Sequence, residues 1–595
     1  MNRQWLSPGR AKLLVRLLRV LLYASLVCGA SAIFLGVMHQ GLLPIIAWLF
    51  PSFETTAFEL GVYGVYPRRD YVSTDLRSPR GRRVKWEDSC NGGYILLGPN
   101  GLSVEKPGPI MLDTNGELVW MSEAWGPTMN FNVQKYKGEN YLTFWYGHKT
   151  GGNGYGDFVM LDSSYKVAYR ISAVGDGNSG DLHEFKLTKD GTALISIFNN
   201  TQADLTRMKG GWRPADGWLT DGMFQEVDVE TNELLFEWRA LDHFKPEDTL
   251  YFDPFGGYFE SHPFDYYHLN SIEKDSKGNY LVSSRHYHHF IYLDGKSGEV
   301  LWTLGGGSTD FTDLSDGLAS DFQWQHNPHW LSEEEGLISF LDNGVAGPLH
   351  VDAPYSKGKI IKMDVENRTV ELVQDYISQG RVRAASQGNF YTIPENNHNL
   401  IGWGAIGAYS EFHMDGSLLC EVHWGAGWLF WWERMKSYRV YRIWDWAGFP
   451  EYPPAAKIKG DKLYVSWLGA TEVRHWELQG SLRDHHGQET YATIEFAEKT
   501  TFEHAFTLPS GNYHEKFRVV ALDGDKNVLK YSEPAERDSS IGRAGGVMLG
   551  ICAGVGSMIV MGLLVKLWKR RQMRVGTGFG WRPWRRRDTY QYSKL

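Results

Sequence analysis

Cysteine is scarce in this chain: four in 595 residues, at positions 28, 90, 420 and 552. No CxxC pair and no Cys/His zinc spacing occurs, which excludes cysteine-based metal or redox chemistry. A surplus of positive charge in the body is missing too. The net charge is −9, yet Arg3, Arg10, Lys12, Arg16 and Arg19 crowd the start, and the stretch 566–595 is strongly basic. The part between them is therefore more acidic than the whole, which argues against nucleic-acid binding by the body. Long hydrophobic runs are few. Only 20–37 and 544–565 stay free of charge for the length that crosses a bilayer.

Those two runs and their basic flanks set an expectation for topology. By the positive-inside rule, 1–19 and 568–595 are basic cytoplasmic tails, and 20–50 and 544–567 are a signal-anchor and a transmembrane helix. Cleavage after Ala30-Ser31-Ala32 is the competing reading of the first run. Either way the chain is expected to be an integral membrane protein with a lumenal or extracellular body. Asn199-Asn200-Thr201 and Asn367-Arg368-Thr369 are acceptor patterns for a glycoprotein.

What is abundant is aromatic residues and Gly, 14% and 66 residues, the mark of strands joined by many turns. At this length several domains are expected. One pattern returns six times between residues 107 and 425: two apolar positions, Asp, a short turn, then an alternating strand. Its aspartates are Asp113, Asp162, Asp228, Asp294, Asp364 and Asp415. They are read as turn residues accepting from the backbone. An upstream partner strand, as in GNYLVSSR, completes each hairpin. Six such units predict an all-β chain with a six-bladed β-propeller over 60–447. A small fibronectin type III-like β-sandwich with Trp467 in its core is predicted over 450–536. The Trp- and Tyr-rich stretch 427–450 reads as a packed connector, or as a membrane-interface belt.

Three histidines open successive repeats: His183 in DLHEF, His268 in YHLNS and His326 in WQHNPHW. In a radial arrangement they face one another across the axis. His286, His288, His289 and His329 read as structural or surface residues. A zinc site of neutral imidazoles is the alternative, and Arg285 among its ligands would repel the cation.

The ordered set HEF…DGTAL, HLNS…GNYLVSSRH, LWTLGG, QH before a strand, and LDNG resembles the arylsulfotransferases (arylsulfate sulfotransferases) over about 66–534. It is most similar to the membrane-anchored members of fungi; bacterial members are soluble and carry the sandwich before the propeller. The resemblance implies transfer of a sulfuryl group from an aryl sulfate to a phenol through a sulfohistidine, with no nucleotide donor, cofactor or metal. By motif, His326 is the implied nucleophile and His183, His268, Asn270 and Arg285 support it. Read alone, these residues fit the chemistry. Sulfuryl transfer asks for positioning and charge stabilisation, a neutral imidazole is a competent nucleophile, and histidines can move the phenolic protons. The aromatic loop 251–267, with Tyr251, Phe252, Phe255, Phe259 and Phe264, is expected to wall an aryl substrate. A non-catalytic propeller that binds a ligand or partner is the alternative.

Cys90 precedes the first complete blade and Cys420 ends the last. A closing propeller makes these neighbours, so a disulfide is expected, contributing about 4–5 kcal/mol by chain entropy.

Overall fold

The structure, a computed structural model, describes residues 53–537 apart from 210–212, 348–349, 484–485 and 511–512, together with 42–49 and scattered positions from 23. The described residues up to Ala535 form one compact unit. Its regular secondary structure is almost all strand, most of it arranged as six four-stranded antiparallel blades. In chain order they are blade 1 (128–171), blade 2 (180–239), blade 3 (269–305), blade 4 (326–376), blade 5 (389–423) and blade 6 (94–121 with 436–443).

The middle strands of a blade are covered on both faces by neighbouring blades, so they lose the polar/apolar alternation of a half-exposed strand. Tyr280–Ser284 and His289–Leu293 of blade 3 are buried at every residue. The six repeat aspartates stand in the turns after the third strands, where each takes a backbone N–H. Asp113 accepts from Glu117 at 2.8 Å, Asp228 from Thr231 at 2.8 Å and Asp364 from Asn367 at 2.9 Å. Asp162, Asp294 and Asp415 accept in the same way.

The innermost strands are Thr128–Tyr136, Gly180–Leu187, Leu269–Lys274, His326–Ser332, Asn389–Thr392 and Lys436–Ile443. Each touches the next, and the last touches the first, so they form a closed ring around a channel. The ring is clasped twice. Lys436–Ile443 pairs with the N-terminal strand Tyr94–Asn100 to complete blade 6, and Arg82–Lys85 adds a fifth strand to blade 5. Cys90 and Cys420 are disulfide-bonded across the second clasp, 330 residues apart in sequence. Reduction, or Cys420→Ser, is expected to cost about 2–5 kcal/mol, measured as a lower urea midpoint in the presence of reductant. Unchanged midpoints would remove the clasp from the account of stability.

After the ring, two sheets pack face to face. One contains Ala455–Lys459, Lys462–Ser466 and His504–Thr507, and the other is built on His475–Arg483 and Lys516–Leu522. Trp467 lies in their shared core, as expected, with Trp476 buried more completely.

The expected membrane topology is corrected. No helix among the described residues is long and apolar enough to cross a membrane. Within 20–50 the described helix is Leu43–Leu49, seven residues long, about 10 Å at the helical rise and far short of a bilayer. The span expected at 544–567 and both basic tails lie outside the described residues, as does most of 20–50. The two-span helices, and the integral-membrane placement built on them, are therefore withdrawn from the fold.

Candidate functional site

His183, His268 and His326 lie near the entry of the innermost strand in three consecutive blades: His183 is the fourth residue of its strand, His268 precedes its strand and His326 opens it. The ring closure turns them toward one mouth of the channel. The rings of His183 and His268 lie edge to face at 4.6 Å, and His286 follows at 4.7 Å from His268. Several backbones here adopt left-handed conformations, which side chains other than Gly rarely do. They include His268 (φ 48°), Trp324 (60°), Asn327 (55°) and Gln387 (64°), the kind of local strain that gathers at functional sites.

Each histidine is backed differently at Nδ1. His183 Nδ1 meets the Asp181 carboxylate, and His268 Nδ1 meets Asp265 Oδ2 at 2.5 Å. Asp265 is brought there because Phe264–Asp265 runs parallel to blade 2, with Asp265 opposite Thr220. His326 Nδ1 instead donates to neutral oxygens, Asn343 Oδ1 at 2.7 Å and Trp324 O at 3.0 Å. This fixes the lone pair on its Nε2, where the backbone N–H of Gln387 donates at 3.1 Å. No hydrogen-bond partner meets Nε2 of His183 or His268 among the described residues.

Burial sets the charge states. His326 and His268 are held well below the usual imidazole range by desolvation, then by neighbouring cations including Arg285, so both are neutral at pH 7. Burial pushes Asp181 upward, but the His183 ring and the N–H groups of Gly154 and His183 outweigh it, leaving an ionised carboxylate. Arg285 is buried, and desolvation lowers it to about 10, so it remains a cation. It donates to His286 Nε2 at 3.1 Å and to Ala385 O at 2.9 Å, and lies 5.0 Å from the Trp324 ring centroid. No carboxylate pairs with it among the described residues, and its Nε is buried without a partner. A buried cation without an ion pair is costly unless an anion visits it.

Asn270 acts at one remove. Its Nδ2 donates to Gln325 O at 2.7 Å, bracing the backbone that enters His326. Beneath the histidines a bidentate ion pair crosses the channel. Arg439 of blade 6 meets Glu184 of blade 2 at 2.7 and 2.9 Å, and Glu184 also accepts from Ser271 Oγ of blade 3 at 3.2 Å.

The expected site residues thus converge, but the aromatic wall does not form as expected. Tyr251 stacks on His286 at 4.0 Å, whereas Phe264, Tyr266 and Tyr267 are core residues, and Phe252, Phe255 and Phe259 are exposed. The mouth beside Tyr251 is a polar cavity of about 440 Å³ reached by Asp253, Glu260, Asp265, His268, Arg285 and His286. His286 was read as structural and belongs to the site. Sequence reading also missed Asp181, Asp265, Trp324 and Gln387. The short spacings Asp181 to His183 and Asp265 to His268 were available signals; nothing in the sequence pointed to Gln387. Donor atoms of Asp265, His268 and His286 lie within 4.8 Å of one another, the spacing of a metal site. Both nitrogens of His286 are already engaged, one of them by the Arg285 guanidinium. These donors therefore answer one another, and the adjacent fixed cation opposes a metal ion.

Residues 132–425 match the family described as arylsulfotransferase (ASST). No curated protein matches the chain. Among solved structures it is similar to a protein of unknown function from Bacteroides caccae, at 12% identity over 59% of this chain and 98% of that one, TM-score 0.32. The Malassezia sympodialis allergen Mala s 1 gives 10% identity over 57% and 85%, TM-score 0.28. Apo AztD from Citrobacter koseri gives 9% over 59% and 96%, TM-score 0.27. TM-scores of this size say nothing about its chemistry.

Proposed function

With residues 132–425 as an arylsulfotransferase-family domain, we propose that this protein transfers a sulfuryl group from an aryl sulfate to a phenolic acceptor by way of a sulfohistidine at His326. The observation that carries this reading is Arg285, a buried guanidinium with no ion pair, beside three imidazoles at one channel mouth. That is a seat for a compact anion flanked by groups that attack and move protons.

The roles follow from what backs each ring. His326 is neutral and carries its lone pair on Nε2, so it is the nucleophile. Nε2 forms the bond to sulfur, the sulfur–oxygen bond to the aryl group breaks, and its electron pair leaves on the phenolate oxygen. The proton left on Nδ1 keeps donating to Asn343 and Trp324, which stabilises the sulfoimidazolium. His183, its Nδ1 engaged by Asp181, gives a proton from Nε2 to the phenolate. In the second half the acceptor phenol returns a proton to His183 Nε2 and its oxygen attacks sulfur. The nitrogen–sulfur bond then breaks, restoring the His326 lone pair. Arg285 holds the sulfuryl oxygens, with His268, backed by Asp265, beside it. Before attack, His326 must release the Gln387 N–H.

The test is to incubate the purified chain with 4-nitrophenyl sulfate and a phenol, and to follow 4-nitrophenol release and the sulfated acceptor. Arg285→Met is expected to lower kcat/KM by about 10²–10³-fold. Equal turnover in the variant would sink the anion seat. One observation favours a binding-only propeller: Gln387 already occupies the lone pair of His326. Donor binding without release of nitrophenol or a protein-bound label would select that reading.

A further inference from the structure

A second cleft opens where the inner strand of blade 6 begins. Its outer wall is the turn Gly427–Trp432, where Trp431 and Trp432 are 53% and 66% exposed. Leu102, 86% exposed, and Pro107 face them from the 100–107 loop, and Lys149 and Lys436 form the floor of a cleft of about 710 Å³. Large apolar side chains left open around a concavity of this size mark a binding site rather than ordinary surface.

The charges on the floor differ. Lys436 is paired with Glu433 at 3.1 Å. Lys149 makes no ion pair or side-chain hydrogen bond among the described residues. Both lead directly to the reacting groups. Lys436 stands two residues before Tyr438, whose ring is 5.7 Å from that of His183. Lys149 is the penultimate residue of a blade 1 strand whose following turn lies on His268: a Cβ at Gly152 would come within 3.5 Å of His268 Cε1. The mouth beside Tyr251 has the opposite character, with Asp253, Glu260 and Asp265 set against Arg285 alone. An organic anion meets three carboxylates around one guanidinium there, and here a lysine with no ion pair among the described residues.

We propose that the cleft between the tryptophan turn and the 100–107 loop seats the aryl sulfate donor, its ring against Trp431 and Trp432 and its anion drawn inward by Lys149. This rests on the sulfuryl-transfer reading and adds where its donor binds. The acceptor phenol then takes the place the departing phenol leaves, because in-line attack on the sulfuryl group of His326 comes from that side.

Burial, then Lys436, lowers Lys149 to about 8; the facing carboxylates of Asp181 and Glu433 act in the opposite sense. The cationic form is present below that value and lost above it. Donor affinity therefore falls as pH rises through about 8. The experiment uses the full chain and 4-methylumbelliferyl sulfate without acceptor, with binding read as tryptophan quenching. Lys149→Met is expected to weaken binding about tenfold while leaving the uncharged 4-methylumbelliferone unaffected. Trp432→Ser should weaken both. Lys149→Arg should keep the affinity and remove its fall between pH 7 and 9. Wild-type binding that survives both Lys149→Met and Trp432→Ser overturns the proposal, as does no binding at all. Binding with these dependences but no transfer to a phenol overturns the sulfuryl-transfer reading and leaves the seat standing. Transfer with an unaltered donor KM in both variants does the reverse.

Discussion

His326→Ala is expected to abolish turnover, a loss of at least about 10³–10⁴-fold, and with it any acid-labile sulfuryl label on the protein. The prediction follows from the backing of the rings. An imidazole whose Nδ1 is engaged by a carboxylate can take and return a proton at Nε2, which suits a proton carrier; His183 and His268 are of this kind. An imidazole whose Nδ1 meets an amide oxygen and a carbonyl stays neutral and presents its lone pair, which suits a nucleophile; His326 is of this kind. His183→Ala should therefore slow transfer yet leave a label that can be trapped on histidine. The substitution at 326 also frees Asn343 Oδ1 and the Gln387 N–H, costing about 1–3 kcal/mol each if buried. His326→Gln, with a polar group of similar reach, separates lost chemistry from lost fold. A folded His326→Ala protein that still labels on histidine would hand the role to His268, whose Nε2 is free.

Glu184→Gln is expected to cost about 3–5 kcal/mol of stability, read from the urea midpoint, because Arg439 would be left as an uncompensated buried charge. The pair spans three blades beneath the histidines, since Arg439 also donates to His183 O at 3.2 Å and Asn270 O at 3.4 Å. Activity should fall with stability, as the strands that carry two site residues lose their common tie. Replacing both partners with Met should recover part of the loss, which a purely steric role for Glu184 does not predict. The pH dependence has a definite sign. Burial raises the Glu184 carboxyl but Arg439 more than offsets it, so the folded carboxyl is held below its ordinary value. The stabilisation is full above that ordinary value and is lost as pH falls through the folded one. A Glu184→Gln protein as stable as the wild type at pH 7 would remove the pair from the account.

The sequence 427–450 shows where reading in one dimension stops. Its tryptophans and tyrosines have one composition, yet they divide between an exposed turn, Gly427–Trp432, and a buried closing strand, Lys436–Ile443. The closing strand pairs with residues more than 300 positions earlier, so nothing near it in the chain announces its partner. The aromatic loop failed for the same reason. Phe264 and Tyr267 pack into the core while Phe255 faces solvent, and only the path of the loop along blade 2 decides which is which.

By itself the sequence determined the repeat, the turns and the cast of the site. Six Asp turns and six hairpins are local patterns, fixed by backbone hydrogen bonding and strand alternation over a few residues. The three histidines were legible because the repeat assigns them equivalent positions, Asn270 and Arg285 through the motifs of the family resemblance, and Cys90 and Cys420 because a closing ring makes its ends neighbours. Tertiary structure alone decided the state of each group. The carboxylate or amide behind each ring, the burial that keeps His326 neutral, the unpaired charges of Arg285 and Lys149, and the Gln387 N–H over the lone pair all arise from separate blades meeting at the axis. Those interactions depend on distance and desolvation through space, which a linear pattern does not encode.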